Sequence, residues 1–176
     1  MRWDVLDADA EKIALARALV PISTRRGWGA ATLRAAASAV CNDAEAWRRH
    51  FRRGARDAIW FISELSDASM AAAFENSPAL RIAYVIWERL EQNSDLKPFV
   101  LRVMLFDMLH PFQAVARMQR TARVMRNCLA PSANAPATTL LNWTYTFIVF
   151  VWLCDRTHGD ALTLRLNQWL LRQIGG

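Results

Sequence analysis

Apolar residues recur at helical spacing along most of this chain, and that pattern restricts its fold more than any other feature of the sequence. Leu33, Ala36, Ala37 and Val40, for example, occupy positions i, i+3, i+4 and i+7, which lie on one face of a helix. The six glycines and six prolines lie mainly between such periodic segments, as expected of helices joined by short breaks. The sequence therefore predicts an all-α protein.

The same periodicity divides the chain into successive helices. We expect them at Asp7–Val20, Ala30–Val40, Asp43–Phe51, Ala55–Leu65, Ser77–Gln92, Leu96–Leu109, Pro111–Leu129, Leu140–Cys154 and Asp160–Ile174. Pro21–Arg26 is predicted to end the first helix, and Ala130–Thr139 is the one linker-like stretch. No repeat is visible, so residues 1–176 are predicted to form a single domain, with a subdomain of residues 1–65 followed by a helical bundle of residues 66–176.

Positive charge is the second strong feature. The net charge is +6, and the 22 basic residues are 20 arginines and 2 lysines. The densest basic run contains Arg48, Arg49, Arg52, Arg53 and Arg56, with Arg25 and Arg26 nearby. Three interpretations of it stay open: contact with DNA phosphates while Trp47–His50 reads base edges, contact with anionic lipid or an acidic partner, and a solvated basic face.

The sequence also bears on the compartment. Met1–Lys12 is acidic and mixed, unlike a secretory signal or a transit peptide. Cys41, Cys128 and Cys154 are widely spaced and odd in number, which favours reduced thiols. The most apolar stretch, Leu140–Cys154, is shorter than the roughly 20 residues of a membrane-spanning helix and is predicted to be a buried core helix. We therefore expect a cytoplasmic protein.

No pattern in the sequence indicates catalysis. His50, His110 and His158 are scattered, without the close spacing that binds a metal ion. The sequence contains no glycine-rich phosphate loop and no serine in a nucleophile elbow. Cys154 lies at the end of an apolar helix, where a thiol is more often inert than reactive. We expect a protein that is not an enzyme and that needs neither metal nor cofactor.

The N-terminal third resembles a known DNA-binding fold. Gly27–Ala37, a turn and then Trp47–Phe51 are similar to the helix-turn-helix half of the tetracycline-repressor superfamily. The resemblance implies a helix-turn-helix unit of three helices packed on a C-terminal bundle.

A second resemblance covers roughly Leu15–Leu171. Its short motifs occur in a fixed order: Leu19-Val20-Pro21, Gly27-Trp28, Phe51–Asp57, Arg89-Leu90-Glu91, Arg120-Thr121-Ala122, Tyr145, Trp152-Leu153 and Asp155-Arg156-Thr157. Together they resemble the lipid-binding accessory family of coenzyme Q (ubiquinone) biosynthesis, whose members have the repressor fold without acting as repressors. This implies a non-enzymatic protein that presents an isoprenoid lipid or quinone precursor at the inner face of a membrane.

The resemblance also points to site residues. Methionine and aromatic side chains suit an adaptable apolar pocket, and the candidates are Trp87, Met104, Met108, Met118, Met125, Tyr145, Val149 and Trp152. A dry, filled core is the alternative. Contact with the membrane or another anionic surface is expected of Arg48, Arg49, Arg52, Arg53, Trp169 and Leu170. The last helix could instead close the core or form the seam of a homodimer.

One departure from the family concerns its partner enzyme. Members carry an aromatic motif before the apolar helix, implicated in contact with a hydroxylase of the pathway. Ala133–Thr138 here reads Ala-Asn-Ala-Pro-Ala-Thr, so the resemblance supplies no residues for that partnership. The second functional hypothesis is a transcriptional regulator that binds DNA through the basic helix-turn-helix and takes a small hydrophobic effector.

Overall fold

The computed structural model describes residues 9–75, 82–91, 94–129 and 138–174. Within these ranges the protein is all-helical, as predicted, and contains no strand. The α-helices are α1 (Ala10–Arg26), α2 (Ala30–Cys41), α3 (Trp47–His50), α4 (Ala55–Glu75), α5 (Ile82–Glu91), α6 (Lys97–Met108), α7 (Pro111–Leu129), α8 (Thr138–Cys154) and α9 (Ala161–Ile174). The predicted beginnings at Asp7 and Ser77 and most of the linker, residues 130–137, lie outside the described residues.

The first helix was predicted to end before Pro21, and this prediction was wrong. Pro21 lies inside α1, which continues to Arg26. Leu19, Val20 and Ser23 are buried on both sides of the proline, so the helix keeps its packing although the ring removes one backbone hydrogen bond. The helix ends instead at Gly27, whose positive φ of 76° suits glycine and whose N–H donates to the carbonyl of Ser23 at 2.8 Å.

Two further helices differ in length from the prediction. Helix α3 is a single turn, because the residues before it form a turn in which the carboxylate of Asp43 accepts the N–H of Glu45 at 2.9 Å. Helix α4 runs ten residues beyond Leu65. Its continuation carries Ser66, Asp67 and Ser69, which are polar yet buried, and this hid the helical pattern from the sequence.

The structure divides into two compact units, the first formed by residues 9–66 and 95–114. Its core contains Leu15, Leu19, Leu33, Phe51 and Leu65, each at most 2% exposed, and is extended by Phe99 and Val103 of α6. Helix α1 packs against both α2 and α6. The ring of Trp28, which precedes α2, meets the ring of Phe99 on α6 edge to face, with centroids 5.7 Å apart.

The second unit contains the described parts of residues 67–94 and 115–176. Helix α5 packs against α8 and α9, and α8 packs against α9. Fully buried residues of this unit are Met70, Ile86, Met125, Leu141, Ile148 and Trp152. The division at residue 66 lies beside the predicted subdomain boundary at residue 65, but residues 95–114 belong to the first unit and not to the bundle.

Candidate functional site

A buried polar cluster in the second unit, centred on the carboxylate of Asp67, joins α4, α5, α7 and α8. Oδ1 of Asp67, on α4, lies 2.6 Å from Nη1 of Arg89 on α5. Asp67 also accepts hydrogen bonds from Nε of Arg120 at 3.1 Å and from the hydroxyl of Thr121 at 3.0 Å, both on α7. Nε of Arg89 donates to the hydroxyl of Tyr145 on α8 at 2.8 Å.

The environment of Arg89 keeps its guanidinium charged. Burial would lower the pKa of Arg89, but the negative charge of Asp67 and the contact with Tyr145 outweigh burial and raise it. The guanidinium also lies 5.7 Å from the centroid of the Tyr145 ring. Because Arg89 stays charged and Asp67 is 3% exposed, the cluster anchors the helices that carry its members.

Most members of this cluster come from the motifs that carry the second resemblance. Arg89, Arg120, Thr121 and Tyr145 were all singled out in the sequence, whereas Asp67 was not. Asp67 had no such signal, because the polar residues Ser66, Asp67 and Ser69 interrupt the apolar periodicity of α4 beyond Leu65.

Asp155, from another of these motifs, caps the start of the last helix. Its buried carboxylate accepts the backbone N–H and the hydroxyl of both Thr157 and Thr163, at 2.6 to 2.9 Å. Burial alone would raise the pKa of Asp155, but these four hydrogen bonds outweigh it and hold that pKa well below its usual range. The motif therefore builds the turn between α8 and α9.

The eight residues predicted to line a lipid site divide between the two units. In the second unit Met125, Val149 and Trp152 are buried, and Trp87, Met118 and Tyr145 are partly buried. Met104 and Met108 lie on α6 in the first unit, and Met108 is 76% exposed. Met108 is therefore a surface residue, in contrast to the interior position expected of it.

Helix α8 is apolar on two opposite faces. One face is buried and carries Leu141, Ile148 and Trp152, and the indole N–H of Trp152 donates to Asp160 at 2.9 Å. The other face, which we call the outer face of α8, exposes Leu140, Trp143, Phe147 and Phe150. Trp143 is 70% exposed. The prediction of a buried core helix therefore holds for one face only.

A polar groove lies beside the beginning of the outer face of α8. Its volume is about 260 Å³, and it is lined by Gln119, Arg123, Thr138, Thr139 and Asn142. The side-chain oxygen of Asn142 is buried and accepts no hydrogen bond from the described residues. This unpartnered acceptor belongs to a residue that lines the groove and precedes Trp143.

The last helix exposes part of its apolar stripe. Leu162, Arg165 and Trp169 share one exposed face of α9 at positions i, i+3 and i+7, and Trp169 is 56% exposed. Leu170 is partly buried. Contact of this helix with a membrane or with a second copy stays a prediction.

The basic run of the first unit is exposed but partly neutralised. Nε of Arg48 lies 2.5 Å from Glu45, Nη2 of Arg49 lies 2.9 Å from Glu11, and Nε of Arg53 lies 2.7 Å from Asp57. Two further exposed arginines, Arg52 and Arg56, form no ion pair with the described residues. Trp47, expected near base edges, is partly buried against the core of the unit.

The described residues contain no group of three or more His, Cys, Asp or Glu side chains placed to hold a metal ion. None of the helices in the described ranges combines the length and the apolar character needed to cross a bilayer. Comparisons with protein-family models, with curated proteins and with solved structures found no match to this chain.

Proposed function

We propose that this protein is a non-enzymatic accessory protein that binds an isoprenoid lipid, such as a ubiquinone precursor, in its second unit and presents it at a membrane surface. The observation that carries the proposal is the outer face of α8, where Leu140, Trp143, Phe147 and Phe150 are exposed on a helix whose opposite face is already buried. An exposed apolar surface of this kind supports a binding site there.

The dimensions and chemistry of this surface suit a prenylated ring. From Leu140 to Phe150 the outer face of α8 extends about 15 Å along the helix, long enough for an extended prenyl chain. The polar groove at its beginning would take the ring, and a phenolic hydroxyl would donate to the free oxygen of Asn142.

The proposal includes a fold and an oligomeric state. We propose that α1, α2 and α3 form a helix-turn-helix of tetracycline-repressor type. We also propose a homodimer formed through α9, because Leu162 and Trp169 are exposed on one face of that amphipathic helix. The outer face of α8 then stays available for the lipid.

A titration with a short-chain prenyl quinol, followed by protein fluorescence, tests the lipid site. Phe147→Ser should weaken binding about tenfold, because it removes an apolar contact of the chain. Asn142→Leu should weaken binding of the quinol but not of a prenyl alcohol of the same length, which lacks the ring. Val40→Ser, at an exposed apolar position of the first unit, is the control. Equal affinity for the quinol in all four proteins would overturn the proposal.

The second candidate, a DNA-binding regulator, is supported by the exposed Arg52 and Arg56 next to α3. The ion pairs of Arg48 and Arg49 with acidic residues count against it, since they reduce the positive charge offered to phosphate. The test is duplex binding over a range of salt concentrations, in which a regulator would show nanomolar, sequence-specific and salt-dependent affinity that Arg52→Gln/Arg56→Gln reduces.

A further inference from the structure

The junction of α6 and α7, in the first unit, is the most exposed apolar surface of the described residues. Leu105, Met108, Leu109 and Phe112 lie there, and we call these four residues the apolar corner. Met108 is 76%, Leu109 78% and Phe112 91% exposed. Side chains exposed to this extent project from the surface and have few neighbours of their own.

The backbone of the apolar corner is anchored to the first unit. Phe106 packs against the core of the first unit, and the His110 ring stacks on the Phe106 ring with centroids 4.1 Å apart. The N–H of Leu109 donates to the carbonyl of Phe106 at 3.1 Å, and the N–H of Ala114 donates to the carbonyl of His110 at 3.1 Å. These contacts hold the backbone that carries the exposed side chains.

Positive charge lies at a defined distance from the corner. Arg102 is exposed on the same side of α6 as Leu105 and Leu109, and its Nε donates to the carbonyl of Thr24 at 3.2 Å. Arg25 and Arg26 follow Thr24 and are also exposed. We call Arg25, Arg26 and Arg102 the basic collar, and none of them forms an ion pair with the described residues. Arg102 precedes Met108 by six residues, or about 9 Å along the helix.

We propose that the apolar corner inserts into the surface of an anionic lipid bilayer while the basic collar contacts the headgroup phosphates. Interfacial elements bury their apolar side chains roughly 5–10 Å into the boundary between headgroups and acyl chains, and the rise of about 9 Å along α6 from Arg102 to Met108 is of that order. The proposal deepens the proposed function by naming the surface that meets the membrane, and it replaces the basic run around α3 in that role.

A lipid surface fits the corner better than a second copy of the chain does. The four side chains of the corner are far fewer than the roughly 20–30 residues that each partner contributes to a stable protein interface. A protein partner would also need a pocket that matches these side chains, whereas a fluid bilayer needs no complementary shape. The unpaired cations of the collar add attraction to anionic lipid.

Flotation of the full chain with vesicles tests this proposal. The protein should float with vesicles of phosphatidylcholine containing phosphatidylglycerol, and at least tenfold less with phosphatidylcholine alone. Met108→Ser/Phe112→Ser should lower binding to the anionic vesicles about tenfold or more. Arg25→Gln/Arg26→Gln/Arg102→Gln should also lower it, and should weaken its dependence on salt. Val40→Ser, at an exposed apolar position of the same unit, should bind as the wild type does.

Several results would overturn the proposal: no flotation of the wild type, unchanged flotation of Met108→Ser/Phe112→Ser, or an equal loss in Val40→Ser. Conversion of an oligomer to a monomer by Met108→Ser/Phe112→Ser, with flotation unchanged, would assign the corner to a second copy instead. Circular dichroism should show unchanged helix content, since the altered side chains are exposed. Prenyl quinol binding in solution is measured without vesicles, so failure of the lipid site and failure of the corner are distinguishable.

Discussion

The guanidinium of Arg89 lies 2.6 Å from the carboxylate of Asp67, and both side chains are buried in the second unit. Each belongs to a different helix, and Asp67 also receives hydrogen bonds from Arg120 and Thr121 of a third. Removing one partner of such a pair leaves the other charge buried and uncompensated.

Asp67→Asn should therefore lower the free energy of unfolding by about 3–5 kcal/mol. Urea unfolding followed by circular dichroism measures this. Asp95→Asn is the matched control, because Asp95 is exposed and forms no ion pair with the described residues, and it should change the free energy by less than about 0.5 kcal/mol. A loss below about 1 kcal/mol in Asp67→Asn would show that the cluster does not anchor the helices.

The cap at Asp155 predicts a pH dependence. The pKa of Asp155 is lowered in the folded protein, so its contribution to stability is fully present above the unfolded-state pKa of about 3.9. That contribution is lost as the pH falls below this value towards the folded-state pKa. The difference in melting temperature between the wild type and Asp155→Asn should be largest near neutral pH and shrink below about pH 4. A difference that stays constant from pH 7 to pH 2 would contradict this role.

Pro21 offers a test of the first helix. Because the proline lies inside α1 and is exposed, Pro21→Ala should restore a backbone hydrogen bond and raise the free energy of unfolding by about 1–3 kcal/mol. Pro111→Ala is the control, since Pro111 is the first residue of α7, where a missing N–H costs nothing. Equal effects of the two substitutions would mean that Pro21 imposes no cost on α1.

The proposed dimer makes its own prediction. Leu162→Glu/Trp169→Glu places two charges on the exposed stripe of α9 and should convert the dimer to a monomer in size-exclusion chromatography with light scattering. Val40→Glu puts a charge on an exposed apolar position elsewhere and should leave the dimer intact. A monomeric wild type at micromolar concentration would refute the dimer.

The sequence predicted a helix correctly where the buried residues of that helix are apolar. Helix α7 begins at Pro111 and ends at Leu129 as its periodicity predicted, because a proline suits the first turn and the apolar seam continues to the end. The extension of α4 was missed because Ser66, Asp67 and Ser69 are buried through hydrogen bonds and ion pairs that no local pattern encodes.

The candidate site was predicted less completely than the fold. Periodicity identifies a helix but does not say to which compact unit the helix belongs. Met104 and Met108 were therefore grouped with residues of the second unit, although they lie in the first. The uniformly apolar sequence of α8 likewise could not show that Trp143 and Phe147 are exposed while Ile148 is buried. Motif order singled out Arg89 and Tyr145, but only the folded chain brings them together.

Native mass spectrometry of the purified protein, followed by extraction and identification of any bound lipid, tests the central claim most directly. We expect a prenylated lipid bound to the wild type and to Val40→Ser, and its loss in Trp143→Ser/Phe147→Ser, whose altered side chains lie on the outer face of α8. Wild-type protein that carries no lipid and takes up none when incubated with prenyl quinol would contradict the account.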